Sequence, residues 1–148
     1  MLNKVLTKIK ELGITIDYIH MDDNGHHGFF NDTPVILINE NLNKLNTALA
    51  LLHETAHFLN EDCEKYIPNH FVNDDIEFKA NHYMIYEIMN LLDQEYDFQP
   101  DTNYQAIIDM LDLPYHLDGV IIDAFVSILQ DKFEIEESDV QNDYWRYG

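Results

Sequence analysis

The sequence predicts an α+β fold in which a small antiparallel sheet packs against several helices. Apolar residues recur at helical spacing over most of the 148-residue chain. Short runs rich in β-branched residues, separated by turn signals, follow the first helical stretch. The chain is 46% hydrophobic and has only 5 glycines and 4 prolines, so it can bury a core and is neither fibrous nor of low complexity.

The N-terminal part of the chain is predicted to form one helix and then strands. Apolar residues from Leu2 to Leu12 repeat at helical spacing, and Gly13 stands where a helix usually ends. The Asn24-Gly25 dipeptide is the strongest turn signal that follows. The predicted elements are a helix over 2–12, strands over 14–21, 29–30 and 35–39, and turns over 22–25 and 31–34.

Helical periodicity returns at Asn43. The second predicted helix has one apolar face, whose members follow an i, i+4, i+7 spacing: Leu45, Leu49, Leu52, Ala56 and Leu59. A loop over 60–73, which contains Pro68, is predicted to follow. A long helix is then capped by Asn73 and runs to about Leu92. Two further helices are predicted over 103–111 and 117–130, separated by Pro114, and the acidic and aromatic tail from Asp131 is unassigned.

Composition predicts one cytoplasmic domain over residues 1–148. The 28 acidic residues outweigh the 8 lysines and arginines, giving a formal net charge of -20. Such a chain is not expected to bind nucleic acid directly or to associate with an anionic membrane, whereas a basic protein partner would be attracted. No apolar run approaches a membrane span of about 18 residues, and no signal-peptide pattern is present. The single cysteine, Cys63, cannot form an internal disulfide.

Residues 53–57 read His-Glu-Thr-Ala-His, an HExxH motif inside the second predicted helix. Because four residues advance a helix by about 400°, His53 and His57 project about 40° apart, one turn above the other. Both imidazoles are thus expected to bind one Zn²⁺, and Glu54 is expected to act as the general base that takes a proton from the attacking water. The alternative, two histidines satisfied within a partly buried helix, does not account for a glutamate directly after the first.

A catalytic zinc site needs three protein ligands and one open position. An extended HExxHxxGxxH motif is excluded because Asn60 and Cys63 occupy its last two marked positions. Glu77 is the preferred third ligand, since it begins an apolar stripe on the next helix, where a carboxylate is costly to bury without a strong partner. The alternative is that Glu77 only complements the helix dipole, with Asp74 and Asp75 as substitute ligands or as acceptors for an imidazole N–H.

The histidines outside the motif are weaker candidates. His26 and His27 fall in a turn-rich segment, where solvated side chains are favoured over a weak metal site. His82 points about 140° away from Glu77 on the same helix and is expected at the surface or in packing. His116 could enter an active cleft, and the sequence does not identify the residue that stabilises an oxyanion.

The chain resembles the ImmA/IrrE-type metallopeptidases over about residues 14–92. The segment Val35–Asn39, a short polar spacer and the run from Leu51 through the HExxH motif look like that family. Its E-x-x-A-N-x-[FY] segment on the following helix is matched by Glu77-Phe78-Lys79-Ala80-Asn81-His82-Tyr83. Residues 93–148 then form a C-terminal helical extension.

This resemblance implies a function as well as a zincin-like active-site helix. Carried over by position, it implies zinc ligands at His53, His57 and Glu77, a gluzincin-like set, with Glu54 as general base. It also implies a zinc-dependent endopeptidase that cleaves a helix-turn-helix repressor, a basic DNA-binding protein of a phage or mobile element. Two alternatives stay open: a non-catalytic antirepressor or adaptor with a structural or vestigial metal site, and a peptidase with an unrelated regulatory substrate.

Overall fold

The computed structural model describes residues 1–60 and 70–134, with the backbone alone for 70–73. It confirms the α+β class. The helices and strands, in chain order, are α1 (Leu2–Glu11), β1 (Thr15–Ile19), β2 (Gly25–Phe30), β3 (Thr33–Asn39), α2 (Lys44–Leu59), α3 (His70–Tyr96), α4 (Tyr104–Leu111) and α5 (Asp118–Phe133), with a short 3-10 turn at Tyr115–Leu117 between the last two.

The chain divides into two compact units, Met1–Ile88 and Met89–Gly148. The boundary falls within α3, so the first unit contains α1, the sheet, α2 and most of α3. One domain over residues 1–148 therefore stays a prediction. No helix among residues 1–60 and 70–134 combines the length and the apolar character that a membrane span requires.

The sheet has the strand order β1-β3-β2 and is mixed. β2 and β3 pair antiparallel through a tight turn at Asn31 and Asp32, whose φ angles of 50° and 65° are those that such hairpins favour. β1 pairs parallel with β3, so the predicted antiparallel pairing holds for β2 and β3 alone. The central position suits β3 because it is the most apolar strand, and its Ile36 and Ile38 are fully buried.

Strand β2 is longer than the sequence predicts. The Asn-Gly dipeptide predicts a turn through Gly25, and His26 and His27 then fall in a loop. In the structure, Gly25 already pairs with Ile38, and His27 pairs with Ile36. The physical reason is that the antiparallel ladder with β3 satisfies the backbone of these residues, which local turn preference cannot anticipate. The prediction that His27 is a solvated loop residue is wrong.

Helices α1 and α2 follow the predicted pattern. α1 ends at Glu11, and Gly13, with φ of 79°, follows its C-cap residue Leu12. Asn43 caps α2, because its side chain accepts a hydrogen bond from the Asn46 backbone N–H at 2.8 Å. α2 packs against α1, β2 and β3, which buries most of its circumference; among the predicted apolar face, Leu59 at its end is 44% exposed.

Helix α3 begins at His70, earlier than the predicted cap at Asn73, and continues to Tyr96 instead of about Leu92. The backbone is already helical through the residues before Asn73, which include Phe71 and Val72, so the predicted cap position lies inside the helix. Asp97, with φ of 53°, follows its end. Cys63, Pro68 and the tail beyond residue 134 lie outside the described residues.

The second unit contains the two predicted C-terminal helices. Asn103 caps α4 by accepting from the backbone N–H groups of Gln105 and Ala106. The 3-10 turn starts directly after Pro114, as expected of a break between helices, and α5 runs three residues past the predicted end to Phe133. The Phe98 and Phe125 rings pack in the core of this unit, with centroids 5.4 Å apart.

Candidate metal centre

The HExxH segment lies in α2, on the part of the helix that faces the sheet and α3. The rings of His53 and His57 have centroids 5.1 Å apart and planes at 79°. His57 is 3% exposed, whereas His53 is partly exposed. The two imidazoles therefore stand side by side, one helical turn apart, as the spacing predicts.

Glu77 extends from α3 to both imidazoles. The Nε2 atom of His53 lies 2.9 Å from Oε2 of Glu77, and Nε2 of His57 lies 3.3 Å from Oε1. Hydrogen bonds from His53 and, secondarily, from His57 hold the pKa of the Glu77 carboxyl well below its usual value, against the opposing effect of burial. The Glu77 side chain is 55% exposed. It is therefore less buried than its position at the start of an apolar stripe predicts.

The three side chains could together hold a metal ion. Two imidazole nitrogens and one carboxylate oxygen, from His53, His57 and Glu77, all lie within 4.8 Å of one another. Nitrogen and oxygen donors of these types are common zinc ligands. Neither Asp74 nor Asp75 joins a metal-binding cluster within the described ranges, and Asp75 instead pairs with Lys79 at 3.2 Å.

Glu54 points from the same helix toward strand β2. The residue is 8% exposed, and its Oε2 makes a short hydrogen-bonding contact with Nδ1 of His27. A buried carboxylate needs such a partner, since an unpaired one is costly in a low-dielectric interior. Sequence reasoning missed His27 as a member of this site.

The alternation of side chains along β2 places His27 on the face of the strand that packs against α2. Successive side chains of a strand point to opposite faces, so Gly25, His27 and Phe29 share the face toward α2. A Cβ atom at Gly25 would lie 3.4 Å from Cγ of Glu54, and the rings of Phe29 and Phe58 meet edge to face at 5.5 Å. The signal that could have found His27 was therefore strand alternation, had the strand been extended back to Gly25.

His27, Glu54 and His57 form a second cluster whose ligand atoms also lie within 4.8 Å of one another. The rings of His27 and His57 are stacked, with centroids 4.4 Å apart and planes at 19°. Because the nitrogen lone pairs lie in the ring planes, stacked rings hold them in two separate, near-parallel planes, so a shared ion would lie outside the plane of at least one ring. The crossed rings of His53 and His57 suit a shared ion better, so the cluster with Glu77 is the preferred metal centre.

The other candidate histidines lie apart from these clusters. His82 stacks on Tyr86 along α3, with centroids 4.4 Å apart, which fits the predicted surface or packing role. His26 is exposed and pairs with Asp23. His116 belongs to the second unit, where its ring meets Tyr115 edge to face.

A helix bearing His53, Glu54 and His57, joined by a carboxylate from the next helix and packed on a small sheet, is the arrangement of a metallopeptidase-like protein. The sequence matches the family model described as the IrrE N-terminal-like domain of the peptidase M78 group over residues 9–106. Since the match covers more than half of the chain, the protein belongs to this family, as the sequence resemblance indicated. No curated protein and no solved structure matches the chain significantly.

Proposed function

We propose that this protein is a cytoplasmic zinc endopeptidase that cleaves a basic, helix-turn-helix DNA-binding repressor of a phage or mobile element. The observation that carries the proposal is that the carboxylate oxygens of Glu77 lie 2.9 Å from Nε2 of His53 and 3.3 Å from Nε2 of His57, the two histidines of the HExxH motif. A carboxylate contributed from a separate helix completes a three-ligand set, which is the number that leaves a zinc ion open for catalysis.

In this proposal His53, His57 and Glu77 hold the zinc ion. When bound there, zinc supplies Lewis acidity, which polarises the scissile carbonyl and eases the ionisation of water. The three side chains approach from two helices, α2 and α3, so the correct folding of both is needed to assemble the set. Hydrogen bonds with His53 and His57 hold the Glu77 carboxylate near the two rings.

Glu54 serves as the general base. It follows His53 directly, and its carboxylate lies beside His57 without joining the cluster around Glu77. Its burial strengthens electrostatic interactions with the reacting groups, because the interior screens charge less than water does. The chemistry assigned to Glu54 is removal of a proton from the attacking water and its delivery to the leaving amine.

The substrate class is supported by charge as well as by family membership. The formal net charge of -20 would attract a basic protein at long range and repel its nucleic acid. A DNA-binding repressor has a basic surface and so suits this chain as a partner. The attraction is expected to weaken as salt is raised, because exposed charges are screened.

The test is to mix the purified protein with the helix-turn-helix repressor encoded nearest to its gene, with zinc and with a chelator, and to follow fragments by mass spectrometry. The wild type is expected to cut the repressor only with metal. Glu54→Gln should retain zinc and repressor binding but lose about 10²- to 10⁴-fold in rate, as for removal of a general base. Glu40→Gln, an exposed glutamate before α2, is the matched control and should cut normally.

Other outcomes of this experiment discriminate the alternatives. A stable, uncut complex that forms equally with and without chelator would contradict the peptidase and favour the adaptor. An intact repressor together with zinc-dependent cutting of other proteins would contradict the substrate class alone. Normal cutting by the Glu54→Gln variant would remove Glu54 from the mechanism.

A further inference from the structure

His27 is the hydrogen-bonding partner of the candidate general base. Its Nδ1 contacts Oε2 of Glu54, and the two side chains are 23% and 10% exposed. Within residues 1–60 and 70–134, no other side chain hydrogen-bonds to this carboxylate. The orientation of the Glu54 carboxylate therefore depends on a residue from another element, strand β2.

The His27 ring is itself held in place on several sides. It stacks on His57 with centroids 4.4 Å apart and meets the edge of Phe58 at 5.8 Å. Its backbone is paired with Ile36 of the central strand, which is fully buried. A ring fixed by two aromatic contacts and a strand ladder has little freedom to turn its Nδ1 away from Glu54.

We propose that His27 is a positioning residue, which donates a hydrogen bond from Nδ1–H to Oε2 of Glu54 and holds the carboxylate in one orientation beside His57. This inference rests on the proposed function, since it assigns Glu54 the role of general base. It extends that function by adding a residue of the sheet to a site whose other members, the HExxH residues and Glu77, all belong to helices.

The hydrogen bond has a defined chemical consequence. With Oε2 engaged by His27, Oε1 of Glu54 is the oxygen that remains to accept a proton from water. The bond also selects the Nδ1–H tautomer of the His27 imidazole, which leaves its Nε2 as an acceptor. A carboxylate already held in its working orientation need not be reoriented during the reaction.

The alternative role for His27 is that of a metal ligand, because its ligand atom lies within 4.8 Å of those of Glu54 and His57. The near-parallel planes of His27 and His57, at 19°, oppose this role, since an ion shared by the two stacked rings would lie outside the plane of at least one of them. The two roles predict different metal stoichiometries. As a positioning residue, His27 leaves one zinc per chain, whereas a second ligand cluster would add another.

Three variants separate the hydrogen bond from the packing. His27→Phe keeps an aromatic ring against His57 and Phe58 but has no donor, whereas His27→Asn keeps an N–H near the Nδ1 position but has no ring. His26→Ala is the matched control, because the neighbouring His26 is exposed and forms an ion pair with Asp23, away from Glu54.

The first measurement is independent of activity. In two-dimensional ¹H–¹⁵N spectra of the zinc-loaded full chain, His27 is expected as the Nδ1–H tautomer, and Glu54→Ala should shift it toward the Nε2–H form that a solvated histidine side chain favours. Elemental analysis should find one zinc per chain in the wild type and in each His27 variant. An Nε2–H tautomer in the wild type, or the loss of one zinc in the His27 variants, would overturn the proposal.

The second measurement is the rate of repressor cleavage. For His27→Phe we expect kcat to fall about 10- to 100-fold with KM unchanged, the usual cost of removing a partner that orients an active-site group. His27→Asn should recover most of this loss, and His26→Ala should equal the wild type. A loss in His27→Asn together with wild-type activity in His27→Phe would assign His27 to packing alone and overturn the proposal.

The two measurements separate this inference from the proposed function. If the zinc-loaded wild type cuts no protein, the proposed function fails, while the tautomer of His27 still decides whether the hydrogen bond to Glu54 exists. If the wild type cuts but His27→Phe is equally active, the positioning role fails and the peptidase stands.

Discussion

The imidazole rings of His27 and His57 stack with centroids 4.4 Å apart and planes at 19°, although one belongs to a strand and the other to a helix. His57 therefore takes part in two relationships, since its Nε2 also lies 3.3 Å from Glu77. The buried side chain of His57 therefore contacts both a residue of the sheet and a residue of α3.

The carboxylate of Glu77 should determine metal affinity. Glu77→Gln keeps the shape of the side chain but removes its charge, so we expect the zinc Kd to rise about 100-fold or more. This exceeds the 10- to 100-fold cost of removing a group that does not touch the metal. The measurement is a competition titration against a chromophoric chelator.

Asp75→Asn is the control for Glu77→Gln. It removes a carboxylate from the same helix that pairs with Lys79 at 3.2 Å, outside both histidine clusters. Its zinc affinity should match that of the wild type. A loss of affinity in Asp75→Asn with none in Glu77→Gln would reverse the assignment and make Asp75 the third ligand.

Two glycines of strand β2 should respond differently to alanine. A Cβ atom at Gly25 would lie 3.0 Å from Cδ1 of Ile38 and 3.1 Å from the carbonyl oxygen of Leu37, so in Gly25→Ala these neighbours must shift by a few tenths of an ångström. We expect it to lower the free energy of unfolding by about 1–3 kcal/mol, the usual cost of overpacking. Urea denaturation followed by circular dichroism measures this change.

Gly28→Ala is the matched substitution, because a Cβ atom there would meet nothing within 4 Å. Its unfolding free energy should stay within about 0.5 kcal/mol of the wild type. Since Gly25 faces Glu54, Gly25→Ala should also slow repressor cleavage, whereas Gly28→Ala should not. Similar effects of the two substitutions on stability would contradict the close approach of Gly25 to Ile38 and Leu37 of β3.

The second unit should lose stability at high pH, because Lys132 loses its proton there. Its Nζ lies 2.6 Å from Oδ1 of Asp93, 2.9 Å from Oδ1 of Asp97 and 2.8 Å from the carbonyl oxygen of Phe98. Chiefly the hydrogen bond to Asp93, and then that to Asp97, raises the pKa of Lys132 above 10.5. A pKa raised by folding contributes stability below pH 10.5 that is lost as pH rises through the folded value.

Lys132→Gln should accordingly be less stable than the wild type at neutral pH, and the difference should shrink above pH 10.5. The comparison of denaturation midpoints isolates this lysine, since the tyrosines titrate in both proteins. Lys10→Gln, an exposed lysine of α1, should follow the wild type at every pH. A difference between Lys132→Gln and the wild type that is constant with pH would contradict the prediction.

The sequence by itself determined the helical elements and the core of the candidate site. The α2 helix, its Asn43 cap and the side-by-side placement of His53 and His57 follow from residues within a few positions of one another, where helical geometry acts. The family resemblance rests on the same local segments, and the match over residues 9–106 confirms it.

Only the tertiary structure decided how distant segments meet. The parallel pairing of β1 with β3, the start of β2 at Gly25 and the contact between His27 and Glu54 all join residues far apart in the chain. Local preferences carry no information on such contacts, because a turn signal such as Asn-Gly competes with a sheet ladder whose partner strand comes later in the sequence. For this reason His27, which the local pattern assigned to a solvated loop, lies against Glu54, the proposed general base.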